Sequence, residues 1–263
     1  MRRNILKIEI KYIPIVILLL LLTSVLHAQE ALPFQISEKL IYSTSFGIIN
    51  AGTFTMILED GGEIMGHPCY CIKTLSKTNP VFDLVYKIRD ETESYWDKDQ
   101  FVVRKFIKRI SEGSWKQYRI HYYFPEDTTY YYVTYKKGEQ TKKQSTSLPD
   151  PQDTYTIIYW VRLQQLALGD TLNLNISLDG DNHPVKLLVE KKEKLNTTFG
   201  PKECFKITPI IPEESQKKST IVMDIWVTDD EYKIPIKLVI DIKYGSFTMF
   251  LKDAANSGLN TTK

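Results

Sequence analysis

A chain of 263 residues with 43% apolar and 25% charged side chains has ordinary globular values and is long enough to bury a full core. Its 34 basic and 32 acidic residues leave no charge excess of the kind that draws nucleic acid. The unusual count is aromatic: 16 Tyr, 11 Phe and 4 Trp, which favours a β-rich protein because aromatic side chains suit strands.

Residues 1–28 read as a cleaved export signal. Arg2, Arg3, Lys7 and Lys11 precede the apolar run Ile13–Leu22, which only Pro14 interrupts, and Thr23–Ala28 ends on a small residue that leaves Gln29 as the new N-terminus. The run is short for a membrane span and no later segment approaches one. No Cys stands near the cleavage point, which argues against a lipid anchor. Removal leaves 30 basic against 31 acidic residues, so the mature chain is near neutral. The expected location is the periplasm or the medium.

In chain order, Leu40, Tyr42, Thr44 and Phe46 alternate as one face of a strand, Gly47–Gly52 is a turn or bulge, and Thr53–Glu59 is the returning strand. Asp60-Gly61-Gly62 turns the chain into a strand over Cys69–Ser76. Asn79 then caps one or two helical turns with Pro80 at the first position. Strands are expected at Ile88–Trp96, Phe101–Ser111, Trp115–Phe124 and Thr129–Lys136. Residues 138–153, with Pro149 and Pro151, read as a long polar loop. Asp153 caps the one convincing amphipathic helix, Thr154–Leu168, which Gly169 stops. Further strands are expected at Thr171–Ser177, Pro184–Leu195, Glu203–Ile211, Thr220–Thr228, Ile234–Lys243 and Ser246–Leu251, with residues 253–263 as a frayed tail. The expectation is an export signal followed by a single β-rich domain over 33–252.

The spacing carries a weak duplication. Gly66-x-x-Cys69-Tyr70-x-Ile72 is echoed by Gly200-x-x-x-Cys204-Phe205-x-Ile207, and each is followed by a Trp-x-x-Asp hairpin, at Trp96 and at Trp226-Asp229-Asp230. This predicts two related β-meanders around the helix. Trp226 should anchor its strand in the core, and Pro235 should confine the returning strand to an edge or a bulge.

Candidate chemistry is sparse. His67, His121 and His183 are scattered and no nucleophile elbow or phosphate-cradling loop is present, so no catalytic residue, cofactor or metal site is assigned. Asp97, Asp99, Asp229 and Asp230 suit hairpin turns better than acid–base work. Cys69 and Cys71 would share a strand face in poor disulfide geometry; a bridge from either to Cys204 and three buried thiols are both left open. Arg162, among Trp160, Val161 and Leu163, needs a partner. It either locks helix to sheet through a carboxylate such as Asp90 or greets an anionic head group at a cavity mouth. The Tyr cluster that includes Tyr122 and Tyr131 is scaffold by default and a ligand-stacking face otherwise.

Taken in order, Glu38–Tyr42, Gly47–Gly52, Tyr86–Asp90, Tyr159–Arg162, Gly169-Asp170, Trp226–Asp230, Ile234–Lys237 and Gly245-Ser246 resemble the bacterial domain-of-unknown-function family 3108. Ser37 stands where that family often has Gly. Arg89, Asp90, Trp226, Asp229, Asp230 and Pro235 of that set, with Trp96 of the earlier hairpin, are the structural signature. The resemblance implies an exported protein of Gram-negative bacteria and transfers no catalytic residue. By analogy with LolA-like carriers it implies an all-β, mainly antiparallel curved sheet or open barrel with one central amphipathic helix. Two functions follow as expectations. One is a non-enzymatic carrier of a hydrophobic or lipid-like ligand, touched by Trp160, Arg162, Tyr122 and Tyr131. The other is a cell-envelope interaction protein that docks on an envelope partner through an aromatic β-surface.

Overall fold

The structure is a computed structural model that describes residues 31–136, 138–178, 181–210, 222–242 and 245–259. The export signal expected at 1–28, and the ends of strands expected to run into 211–221 and 243–244, lie outside the described residues. Pro33–Lys263 forms one compact unit.

Its strands are β1 (Lys39–Phe46), β2 (Ile49–Ile64), β3 (His67–Thr78), β4 (Arg89–Asp97), β5 (Val103–Glu112), β6 (Trp115–Phe124), β7 (Thr129–Lys136) and β8 (Glu139–Thr146). Then come β9 (Pro151–Gln152), β10 (Thr171–Leu178), β11 (Asp181–Thr197), β12 (Gly200–Ile210), β13 (Val222–Thr228), β14 (Pro235–Ile242) and β15 (Gly245–Ala255). Two helices interrupt them, α1 (Pro80–Asp83) and α2 (Thr156–Arg162). All 15 strands join one sheet in the order β8-β7-β6-β5-β4-β3-β2-β1-β15-β14-β13-β12-β11-β10-β9. Neighbours pair antiparallel except β9 and β10. The sheet does not close by a backbone ladder. Its two arms meet through side chains instead, as where the Tyr123 hydroxyl donates to the Ser177 carbonyl at 3.4 Å and the Asn175 amide to the Pro149 carbonyl at 2.7 Å.

The strand order contains two six-strand meanders, β1–β6 and β10–β15, joined where β1 pairs β15. Their registers agree in detail. Cys69 faces Asp97 across β3–β4, and Cys204 faces Thr228 across β12–β13. The Lys98 N–H donates to Pro68 and the Asp229 N–H to Glu203, both at 2.9 Å. Each hairpin has its irregularity at the equivalent step, Tyr95/Trp96 and Trp226/Val227. This alignment corrects the duplication at one point: Trp226 corresponds to Tyr95, and Trp96 to Val227. Strand alternation therefore turns the two indoles to opposite faces. Trp96 is fully buried among Phe34, Tyr70, Phe101 and Tyr159 and donates to Gln152 Oε1 at 3.2 Å. Trp226 lies on the face opposite Ile225 and Val227, beneath the ammonium groups of Lys206 and Lys237, and donates to Glu193 Oε1 at 2.6 Å. It is buried and belongs to the hydrophobic core, as expected of an anchor, with lysine stems and a carboxylate on its outer side. Pro235 opens β14 at that irregularity, and β14 is flanked on both sides, so the proline marks a bulge and no edge.

The turn carboxylates act as caps. Asp97 Oδ1 accepts the N–H groups of Asp99 and Gln100, and Asp230 Oδ1 those of Tyr232 and Lys233. Burial opposes ionisation of Asp97, but the donors from Gln100, Asp99 and Arg104 outweigh it and hold its carboxyl below the ordinary value. Gly52 sits opposite Thr78, where a Cβ would collide with the Lys77 carbonyl.

Helix α2 fills part of the space the sheet encloses. Asp153 caps it as expected: Oδ1 accepts from Tyr155 and Thr156, and Thr156 Oγ1 accepts the Asp153 N–H in return. Ile157, Ile158, Tyr159 and Val161 are buried. The helix ends at Arg162, short of the expected Leu168, because the chain is pulled away: Gly169 donates to Val189, and Val189 to Asp170. Leu168 is consequently exposed. The polar stretch 138–153 is also no continuous loop, since β8 pairs along β7 as a wholly polar edge strand. At the other end β15 runs past Asp253, where a frayed tail was expected, to pair Ala255 with Lys39, and Leu259 is buried.

Candidate functional site: an interior chamber with a polar wall

Beside the first turn of α2 the sheet and helix leave a chamber of about 220 Å³. Its apolar walls come from both meanders and the helix, among them Phe54, Phe106, Ile158, Leu238, Ile240 and Met249. A second recess of about 220 Å³ shares Phe54, Ser76, Asp90, Ile240 and Met249 with it and continues towards the β1–β2 turn and Phe247. These walls are polar on one side. Asp90 and Lys108 face the chamber from neighbouring strands, and Thr74 and Thr92 pair at 2.6 Å beneath the Tyr155 hydroxyl, which they hydrogen-bond.

Asp90 accepts the Ser111 N–H at 2.8 Å, yet burial first and Glu112 next push its carboxyl up to about 6 from the ordinary 3.8. Lys108 acts in the opposite sense. The folded chain therefore holds a proton that the unfolded chain releases between about pH 4 and 6. Stability from this group is complete below that window and is lost as the pH rises through about 6. Asp90→Asn should then be more stable than the parent at neutral pH and equal to it near pH 4, read from urea midpoints at the two values. A variant less stable at neutral pH would show Asp90 to be a needed anion.

The residues assigned to ligand contact by sequence are not gathered in one place. Arg162 is fully buried and saturated: it donates to both oxygens of Glu38 at 2.6 and 2.9 Å, to the Pro33 carbonyl at 2.6 Å and to the Tyr232 carbonyl at 3.0 Å. Its partner is Glu38, not Asp90. Trp160 is half-buried at the core margin. Tyr122 and Tyr131 stack at 4.9 Å on the outer face of β6–β7, with Lys105 and Lys142 over their rings. On the inner face of the same strands His121, Tyr123, Tyr130 and Tyr132 stack instead as core. Of the signature residues, Arg89 closes on Asp83 at 2.6 Å beside α1, and Asp229 pairs with Lys192. The three cysteines are buried free thiols, and burial drives them up, to about 11 for Cys69 and about 12 for Cys71 and Cys204.

Sequence reasoning missed Glu38 as a partner and, although it expected a cavity between sheet and helix, did not find the residues that line it. Glu38 had one signal, a carboxylate set directly before the alternating apolar run of β1.

A curved antiparallel sheet wrapped round a short helix defines a β-barrel-like protein with an unfilled interior. The chain belongs to the family described as protein of unknown function DUF3108, whose model matches residues 41–252. Its fold is similar to that of a β-barrel-like protein of domain of unknown function DUF1849 from Brucella abortus. The two are 12% identical, with 84% of this chain and 98% of that one covered and a TM-score of 0.54. The hypothetical protein CT021 from Chlamydia trachomatis is similar at 9% identity, 88% and 92% coverage and a TM-score of 0.36. Among curated proteins none matches the sequence.

Proposed function

We propose that this protein is an exported, non-enzymatic carrier that holds a small hydrophobic ligand bearing a polar end in the chamber between α2 and the sheet. The observation that supports it is the chamber itself: apolar walls drawn from both meanders, left open beside a helix too short to fill them, with Asp90 and Lys108 on one side. Export is supported by the charged, apolar and small-residue order of residues 1–28. The ligand's apolar body would lie on Phe54, Ile240 and Met249 and its polar end on Asp90 and Lys108. Protein purified from its producing cell and extracted with solvent should release one dominant compound by mass spectrometry. Ile240→Trp, which fills the chamber, should release at most about a tenth as much while the fold is retained. An empty parent protein, or equal release from both, overturns the reading.

A second reading, docking on an envelope protein, is favoured by the outer face of β6–β7, where Tyr118–Tyr135 and Tyr122–Tyr131 stack beside the unpaired edge of β8. Crosslinking in intact cells from Tyr131 should then capture one dominant partner, and a diffuse pattern would count against it.

A further inference from the structure

Large apolar side chains are exposed on three neighbouring turns at the end of the sheet where the second recess lies. Ile48 and Ile49 occupy the β1–β2 turn at 103% and 58% exposure, and Ile242 ends β14 at 42%. Val81, Leu84 and Val85, in and just after α1, are 73%, 87% and 82% exposed. The turns are tied together. The Asn79 side chain donates to the Asn50 carbonyl at 2.7 Å, its N–H to Ala51 at 2.9 Å, and the Gly47 N–H to Ser246 at 3.4 Å.

Helix α1 is built yet buries no residue fully, Phe82 and Asp83 being half-buried. Asn79 caps it, accepting from the Phe82 N–H at 2.8 Å, and Arg89 clamps Asp83 from behind, while none of its residues is buried. Its framework thus holds Val81 in water, and the loop after it does the same for Leu84 and Val85, a cost that a purely structural element has no reason to bear. Charge points to the occupant. From Lys77 to Arg89 there are three basic residues and one acidic, and Arg89 takes up the acidic one, Asp83. Lys77 and Lys87 remain exposed and in no ion pair among the described residues. Exposed apolar side chains flanked by lysines in no ion pair among the described residues match an anionic lipid surface, where the apolar tips enter the headgroup layer and the ammonium groups meet phosphate. A protein groove would call for a concave or flat counterpart here.

We infer that this rim, formed by Ile48, Ile49, Val81, Leu84, Val85 and Ile242 with Lys77 and Lys87, docks the protein on an anionic phospholipid membrane. The recess lined by Ala51, Gly52, Thr78 and Phe247 then opens against that membrane. As a route for loading, this rests on the carrier reading; as a docking surface it stands on the rim alone.

The test uses the protein as secreted by its producing cell and unilamellar vesicles of phosphatidylglycerol and phosphatidylcholine, or of phosphatidylcholine alone. The parent should co-sediment with the anionic vesicles, and less so at high salt or on neutral ones. Leu84→Asp with Val85→Asp should weaken that binding about tenfold or more, and Lys77→Glu with Lys87→Glu should remove its salt dependence. Because these side chains are exposed, urea midpoints should not move. Every variant carries the same N-terminus as the parent, so residues 1–28 cannot account for a difference. Parent protein that stays in the supernatant, rim variants that bind as the parent does, or a rim-dependent dimer in sedimentation velocity without vesicle binding would each overturn the inference. Ile240→Trp separates the two claims: it should release at most about a tenth as much ligand and still bind vesicles, and vesicle binding by a parent that carries no ligand leaves the docking standing and the carrier fallen.

Discussion

Arg162→Leu should lower the stability of the fold by about 3–5 kcal/mol, because it strands a buried carboxylate that has no other cation among the described residues. Glu38 and Arg162 are both fully buried, and the guanidinium also satisfies two backbone carbonyls from chain segments far apart in sequence. The pair thereby ties three pieces together: the lead-in at Pro33–Glu38, the end of α2, and the β13–β14 turn at Tyr232. Tyr42 and Tyr159 lie against it, and burial first, Glu38 next, raise both phenols well above the ordinary value, so both stay neutral beside the carboxylate. Glu38→Gln should cost less than Arg162→Leu, since an amide still accepts from the guanidinium while the lost charge is the arginine's partner. The double variant Glu38→Leu with Arg162→Met should recover much of the loss, as apolar replacement of a whole buried pair tends to do. Urea unfolding of the four proteins settles it: a double variant no better than Arg162→Leu would mean that the carbonyl contacts at Pro33 and Tyr232, not the ion pair, hold this corner.

That corner also shows what the residues could and could not announce. Asn79 with Pro80, and Asp153 three residues before Thr156, are local capping patterns, and both caps formed where they were read. Alternation located β1 and β2, where Leu40 and Tyr42, and Phe54, Met56 and Leu58, form a buried face. It failed at β8, where every position is polar or exposed and only pairing with β7 makes the strand. The helix was read too long because Leu163, Leu166 and Leu168 keep a helical spacing, while the chain's direction there is set by backbone bonds to Val189. Arg162 was recognised as a charge in need of a partner, but the partner lies 124 residues away. No local spacing encodes a contact of that range. The chamber's lining was out of reach for the same reason, since Phe54 and Met249 meet only when β1 pairs β15. The Tyr cluster divided by strand parity into a core half and an outer half, which composition alone does not distinguish.

The duplication offers the sharpest comparison, because two tryptophans that look alike in sequence occupy non-equivalent positions. Trp96→Ala should destabilise by about 3–5 kcal/mol, the range for removing a large aromatic side chain from a packed core. Four aromatic rings surround that indole and Gln152 would lose its donor, leaving a void walled by Phe34, Phe101 and Tyr159 that the sheet cannot close. Trp226→Ala should cost less, about 2 kcal/mol, although that indole is buried too. Lys206 and Lys237 cover its indole from outside, and their flexible stems can settle into the vacated space while Glu193 turns to water. The equivalence of Trp226 with Tyr95 sets a third value. Tyr95 is also held by a carboxylate, Glu93 at 2.8 Å, and lies under Lys105, so Tyr95→Ala should resemble Trp226→Ala and not Trp96→Ala. Equilibrium unfolding of the three variants distinguishes the two alignments. Equal losses at Trp96 and Trp226 would restore the simple sequence match of the two hairpins, whereas a large loss at Trp96 with small, similar losses at Tyr95 and Trp226 supports two meanders repeated in register, with the indole shifted by one residue between them.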